Sequence, residues 1–112
     1  MHEMSLMAGV FEIIENILAQ HDVKRVTKVK LKVGELTNAE PSALKMAFAA
    51  YAQGGVCEGA ELEIERVPVR GRCPQCDREF AVPGHLFLCP HCERNLQIIA
   101  GDELLLESLE VE

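Results

Sequence analysis

Tryptophan is absent from this chain, tyrosine occurs once, at Tyr51, and phenylalanine only four times in 112 residues. Apolar residues make up 48%, enough for a core, but that core must be mainly aliphatic. Basic side chains are scarce relative to acidic ones, 11 against 18, for a net charge of −7. Such a surface repels phosphate backbones and anionic membranes, so neither nucleic acid nor a membrane is the expected partner. No apolar run is long enough to span a bilayer. The stretch from Met4 to Leu18 is interrupted by Glu12 and Glu15, and no basic segment precedes it as in a secretory signal. The chain is therefore expected to be soluble and cytoplasmic. Also missing are a glycine-rich phosphate loop, a nucleophile beside a base and a pair of catalytic acids, which points away from an enzyme. There is no internal repeat and no low-complexity segment.

What is present begins with cysteine. Cys73-Pro74-Gln75-Cys76 is followed after twelve residues by Cys89-Pro90-His91-Cys92, the spacing of two thiolate pairs converging on one tetrahedral ion. The two residues inside each pair let the backbone turn so that both sulfurs share a centre, and each proline pre-sets φ for that turn. Two disulfides are the competing reading, but the fifth cysteine, Cys57, has no mate, and reduced thiols are the rule in the cytosol. Four thiolates leave no open coordination position, which favours structural Zn²⁺. Iron in the same cage, as in a rubredoxin-like redox carrier, is the alternative ion.

Hydrophobic periodicity predicts an α+β fold. Met7, Val10, Phe11, Ile14, Ile17 and Leu18 recur at helical spacing, with Ser5 as a capping residue and an end near His21-Asp22. From Val26 the period becomes two. Val29, Leu31 and Val33 alternate with Lys28, Lys30 and Lys32, a strand with one buried face. Gly34 closes it, and Leu36 to Ala39 reads as a loop. Pro41 suits the first turn of a second helix carrying Leu44, Ala47, Phe48 and Tyr51 inward, and Gly54-Gly55 stops it. A strand from Ala60 to Val69 sets Leu62 and Ile64 against Glu61, Glu63 and Glu65. Its glutamates suit the lysines of the first strand across a ladder, with the helical connection making the two strands parallel. Short strands around Glu79 to Val82 and Leu96 to Ile99 should frame the cysteine turns. Leu104 to Val111 should return to the first sheet. The expected architecture is a small three-stranded sheet with two helices in a discontinuous domain, 1–69 plus 101–112. A four-cysteine zinc-ribbon domain, 70–100, is inserted in it and held by metal because some thirty residues bury little core. Its arginines, Arg66, Arg70, Arg72 and Arg78, keep a nucleic-acid-binding or adaptor ribbon as the rival function.

The other metal-binding pattern is at the start. The α-amine of Met1, the peptide nitrogen that follows it and the imidazole of His2 can close adjacent small chelate rings on one cation, with Glu3 adding a carboxylate or its amide. Nitrogen-rich, planar-tending donors suit Ni²⁺ or Cu²⁺ over Mg²⁺ or Ca²⁺. His21 and His85 read as surface histidines, and Cys57 as a small buried apolar group.

Met1-His2-Glu3-Met4-Ser5-Leu6, Lys24-Arg25-Val26-Thr27, Val33-Gly34-Glu35-Leu36 and the paired cysteine turns together resemble the HypA/HybF family of hydrogenase maturation nickel chaperones, over essentially the whole chain. The resemblance implies a nickel-binding domain led by the N-terminus and a structural zinc domain. It further implies nickel delivery to the [NiFe]-hydrogenase large subunit with a nucleotide-hydrolysing GTPase, urease maturation proteins being further clients of some members. On the matching positions, His2 is the nickel ligand with Met1 and Glu3 contributing backbone nitrogen. Glu40 is an acidic support, and Cys73, Cys76, Cys89 and Cys92 are the zinc ligands. Relatives with a histidine at both cysteine turns differ from this chain, which has Gln75 in the first and His91 in the second. The expected state is a monomer or weak homodimer.

Overall fold

The computed structural model describes residues 2–82 and 86–112, so Met1 and His85 lie outside the described residues. The described elements are helix α1 (His2–Leu18), strand β1 (Val26–Gly34), a 3₁₀ turn (Glu35–Thr37), helix α2 (Pro41–Ala52) and strands β2 (Glu61–Val67), β3 (Arg70–Cys73), β4 (Arg78–Ala81), β5 (Gln97–Ala100) and β6 (Leu104–Val111). They form two three-stranded sheets, one in the order β2-β1-β6 and one in the order β4-β3-β5. Backbone contacts divide the chain into two compact units. One comprises Met1–Lys32, Ala39–Glu65 and Leu104–Glu112, the other Val33–Asn38 and Arg66–Glu103.

In the first unit the apolar stripe of α1 buries Met7, Val10, Phe11 and Ile14, and α2 buries Leu44, Ala47, Phe48 and Ala52. The helices meet through Phe11, whose ring centroid lies 5.4 Å from that of Phe48. Val26, Val29 and Leu31 of β1 and Leu62 of β2 complete this core. Each fully buried aliphatic side chain contributes about 2 kcal/mol by leaving water. On the other face of the sheet Lys28 pairs with Glu63 at 3.1 Å, Lys30 with Glu63 and Glu65 at 3.5 and 3.6 Å, and Lys32 with Glu65 at 3.9 Å. These pairs climb both strands in the same sense, as in a parallel pairing. From β6, Glu107 reaches Lys30 at 3.3 Å and Lys32 at 3.5 Å, so the lysine strand is flanked by glutamates on both sides.

Several expectations are corrected. Helix α1 begins at His2 and not at Ser5, which is exposed inside the helix. A serine can cap only where the first turn starts, and here the apolar stripe docks early enough to carry the helix to its first residues. The helix also ends at Leu18, ahead of His21-Asp22, where Gln20 and His21 donate to Ile17 and Leu18 three residues back and tighten the chain. Ile17 and Tyr51, placed inward by periodicity, are 36% and 42% exposed. Tyr51 instead stacks its ring on Phe11, centroids 5.5 Å apart. The strand expected over Ala60 to Val69 stops at Val67, and a separate strand, β3, follows Pro68, which has no N–H for a ladder.

The second unit has a small core of its own. Val69, Val82 and Leu96 surround the buried Cys73 and Cys89, with Leu36, Phe80, Phe87 and Ile98 packed against them. Strand β3 is its centre, paired antiparallel with β4 from Arg70↔Ala81 to Cys73↔Arg78 and with β5 on its other side. Backbone bonds also clasp Gly34 to Glu103 and Leu36 to Gly101, each at 2.7 Å.

Candidate metal centres

The two cysteine turns are built alike. In the first, the N–H of Asp77 donates to the carbonyl of Cys73 at 2.8 Å, and in the second the N–H of Glu93 donates to that of Cys89 at 2.9 Å. Asp77 and Glu93, each four residues after the first cysteine of its pair, take left-handed φ values of 54° and 60°. That conformation turns the chain away just past the second thiol. Amides then point at sulfur: the N–H of Cys76 lies 3.4 Å from Cys73 Sγ and the N–H of His91 3.4 Å from Cys89 Sγ. Such donors favour the thiolate.

The turns bring all four sulfurs within 4.8 Å of one another. Cys73 and Cys92 are 3.5 Å apart and Cys76 and Cys89 3.9 Å. A tetrahedral ion with metal–sulfur bonds of about 2.3 Å requires sulfur–sulfur edges of about 3.8 Å, so the donor set fits one such ion. The same distances are far outside a disulfide bond, and all five cysteines are free. The Cys76 N–H, with the neighbouring sulfurs, holds the Cys73 thiol down to about 7, whereas the Cys92 sulfur and burial push Cys76 up to about 12. Four thiolates cannot share this space without a positive centre. Cys57 stands apart in the first unit, buried, its thiol pushed up by desolvation.

Beside the cluster, His91 packs its ring against Phe80, centroids 5.8 Å apart, and Arg78 donates to its Nε2 at 3.3 Å. Sequence reading missed both partners. The period-two pattern of β4, which sets Arg78 and Phe80 on one face, was the available signal.

At the N-terminal pattern, His2 is the first residue of α1, its side chain 50% exposed, with Nε2 3.7 Å from Glu3 Oε2. The Glu40 backbone N–H donates to Glu3 Oε2 at 3.2 Å and holds that carboxyl below the usual range. Glu40 is the N-cap of α2. Its own carboxylate accepts from the Ala43 N–H at 3.0 Å and from the Ser42 hydroxyl. The fold thus brings His2, Glu3 and the backbone of Glu40 together, although Glu3 and Glu40 are far apart in sequence. Met1, the remaining member of the predicted set, is not among the described residues. No described helix is long and apolar enough to cross a membrane.

Residues 1–111 match the family model described as "Hydrogenase/urease nickel incorporation, metallochaperone, hypA". The chain is 67% identical over 113 aligned residues to the hydrogenase maturation factor HypA of Desulfitobacterium hafniense, covering 100% of this chain and 99% of that protein. It is 41% identical to the HypA of Geobacter metallireducens, with all of both chains covered. Among solved structures, it is similar to the solution structure of the Ni metallochaperone HypA from Helicobacter pylori, with a TM-score of 0.75 and 26% identity over 99% of this chain and 97% of that one. The chain belongs to the HypA family of nickel-incorporation metallochaperones.

Proposed function

We propose that this protein carries Ni²⁺ at its N-terminus and delivers it to the large subunit during [NiFe]-hydrogenase maturation, together with a nickel-inserting GTPase. The ligands are the Met1 amine and backbone nitrogens, the His2 imidazole and Glu3. Glu40 supports them through its N–H. The observation that carries this reading is an exposed His2 on the first helical residue, beside a Glu3 fixed by Glu40. The first amides of a helix have no intrahelical acceptor, so the nitrogens needed for a chelate are not committed to the backbone ladder. An open site of few ligands also suits a carrier, which must release its cargo.

In this reading residues 1–69 with 101–112 form the nickel-binding domain and 70–100 the zinc domain. Cys73, Cys76, Cys89 and Cys92 would hold Zn²⁺, which would neutralise their thiolates and staple the two turns. The protein works in the cytoplasm, as a monomer or weak homodimer, and is a carrier rather than an enzyme. Urease maturation proteins are further clients suggested by the family description. Nickel titration by calorimetry of the untagged protein tests the site. Nickel should bind the parent and fail to bind His2→Ala or Nα-acetylated protein, with folding and zinc content unchanged in both. Undiminished nickel affinity in either would refute the assignment.

A further inference from the structure

Strand β2 is an edge strand of its sheet. One side pairs with β1, and among the described strands none pairs with the other. An unpaired edge is a template for another extended chain. Beside the start of this edge, at Glu61 and Leu62, lies a groove of about 600 Å³ between α2 and β2. Phe48, Ala52 and Leu62 form its buried floor, and the small exposed Ala49 leaves it open. Glu58 and Glu61 stand on its β2 side and Lys45 on its α2 side, leaving two acidic groups to one basic one.

What would fit here can be read from the strand already paired with β2. Strand β1 alternates aliphatic residues with Lys28, Lys30 and Lys32. The aliphatic side chains enter the core under the helices, and Lys28, Lys30 and Lys32 bridge to Glu63 and Glu65. The outer edge of β2 offers the same two environments, an apolar groove on the helix side and a row of glutamates on the other. Glu61, at the open end of that row, also acts on Lys28 but makes no close ion pair among those described. A second copy pairing β2 with β2 would oppose glutamate to glutamate, which destabilises a ladder. An acidic segment is disfavoured for the same reason.

We propose that the free edge of β2 and its groove dock an extended segment of a partner protein in which basic and aliphatic residues alternate. Main-chain bonds to β2 would supply affinity, the aliphatic side chains would fill the groove against Phe48 and Leu62, and the basic ones would lie against Glu61, Glu63 and Glu65. This site is separate from the N-terminal metal pattern and does not depend on its reading.

The probe is a capped peptide of alternating arginine and valine, seven residues long to match β2, with a glutamate-for-arginine counterpart. Titration into the ¹⁵N-labelled full chain should shift the amides of β2 and of the groove residues. The basic peptide should bind at least about tenfold more tightly than the acidic one. Ala49→Trp, which fills the groove from an exposed helical position, should weaken binding by about tenfold or more while the rest of the spectrum stays native. Glu61→Lys should narrow the preference for the basic peptide. The proposal is overturned if the acidic peptide binds as well, if the shifts map to β6 or the ribbon sheet, or if Ala49→Trp binds like the parent. Concentration-dependent self-association of the parent that Ala49→Trp abolishes would also overturn it, since the groove would then serve a second copy.

Discussion

The backbone N–H of Glu40 donates to the carboxylate of Glu3, so the cap of one helix holds the first turn of the other beside His2. Because this bond lowers the Glu3 pKa in the folded protein, the sign of its pH dependence follows. A depressed carboxyl contributes stability that is present above its unfolded pKa and is lost as pH falls through its folded value. The Glu40 amide shift, followed by NMR on acidification, should stay constant down to the ordinary glutamate range and move only below it. An inflection at or above that range would show that the bond does not persist in solution.

The same contact separates two roles for Glu40. Its carboxylate caps α2, so Glu40→Ala should cost about 1 kcal/mol in urea denaturation. The substitution keeps the N–H that holds Glu3, so nickel affinity should change by no more than a few-fold. Loss of nickel binding in a folded Glu40→Ala protein would instead make the carboxylate a ligand. Glu3→Ala, which removes the acceptor, should weaken nickel binding more than Glu40→Ala does.

Removing one sulfur tests the ribbon. Structural zinc sites contribute on the order of 10 kcal/mol, more than the small core of Val69, Val82 and Leu96 can replace. Cys73→Ala should release the metal, measurable by mass spectrometry under native conditions, and expose the segment between Arg70 and Ala100 to trypsin. The first unit should keep its spectrum. A variant as protease-resistant as the parent would remove the structural role from the metal.

Two glycines should respond in opposite directions. A Cβ on Gly34 would stand 2.2 Å from the carbonyl carbon of Gly101. Backbone cannot retreat as a side chain can, so Gly34→Ala should destabilise by roughly 1–3 kcal/mol. A Cβ on Gly9, within α1, would have nothing within 4 Å, and Gly9→Ala should stabilise by about 0.5–1 kcal/mol through helix propensity alone. Urea midpoints of the two variants check both signs.

Lys30 sits among Glu63, Glu65 and Glu107. Lys30→Met should lower the urea midpoint, because three carboxylates then share only Lys28 and Lys32, and high salt should shrink the difference by screening them. An effect that does not depend on salt would point to lost packing of the lysine stem.

Much of this architecture was legible in one dimension because it rests on local repetition. The helical spacing from Met7 to Leu18, the alternation through Lys28, Lys30 and Lys32 and the paired cysteine turns each declare a period or a chelating distance within a few residues. The same alternation in β2 announced that lysines would meet glutamates. Local rules failed where an element's limits depended on a distant partner. Ser5 looked like a cap because the docking of α1 against Phe48 and its tie to Glu40 could not be seen, and Tyr51 looked buried because its stacking on Phe11 lies at the rim of the core.

The amino-acid order alone determined the elements, the four thiols able to share one ion and the nitrogen-rich N-terminus, since each is a matter of side-chain chemistry at short separation. Only the tertiary structure decided that Glu3 would meet the backbone of Glu40, that Cys76 and Cys89 would face each other across the cluster, and that β2 would be left at an edge. Those contacts join residues that chain connectivity does not bring together, and packing of the two separate cores selects them.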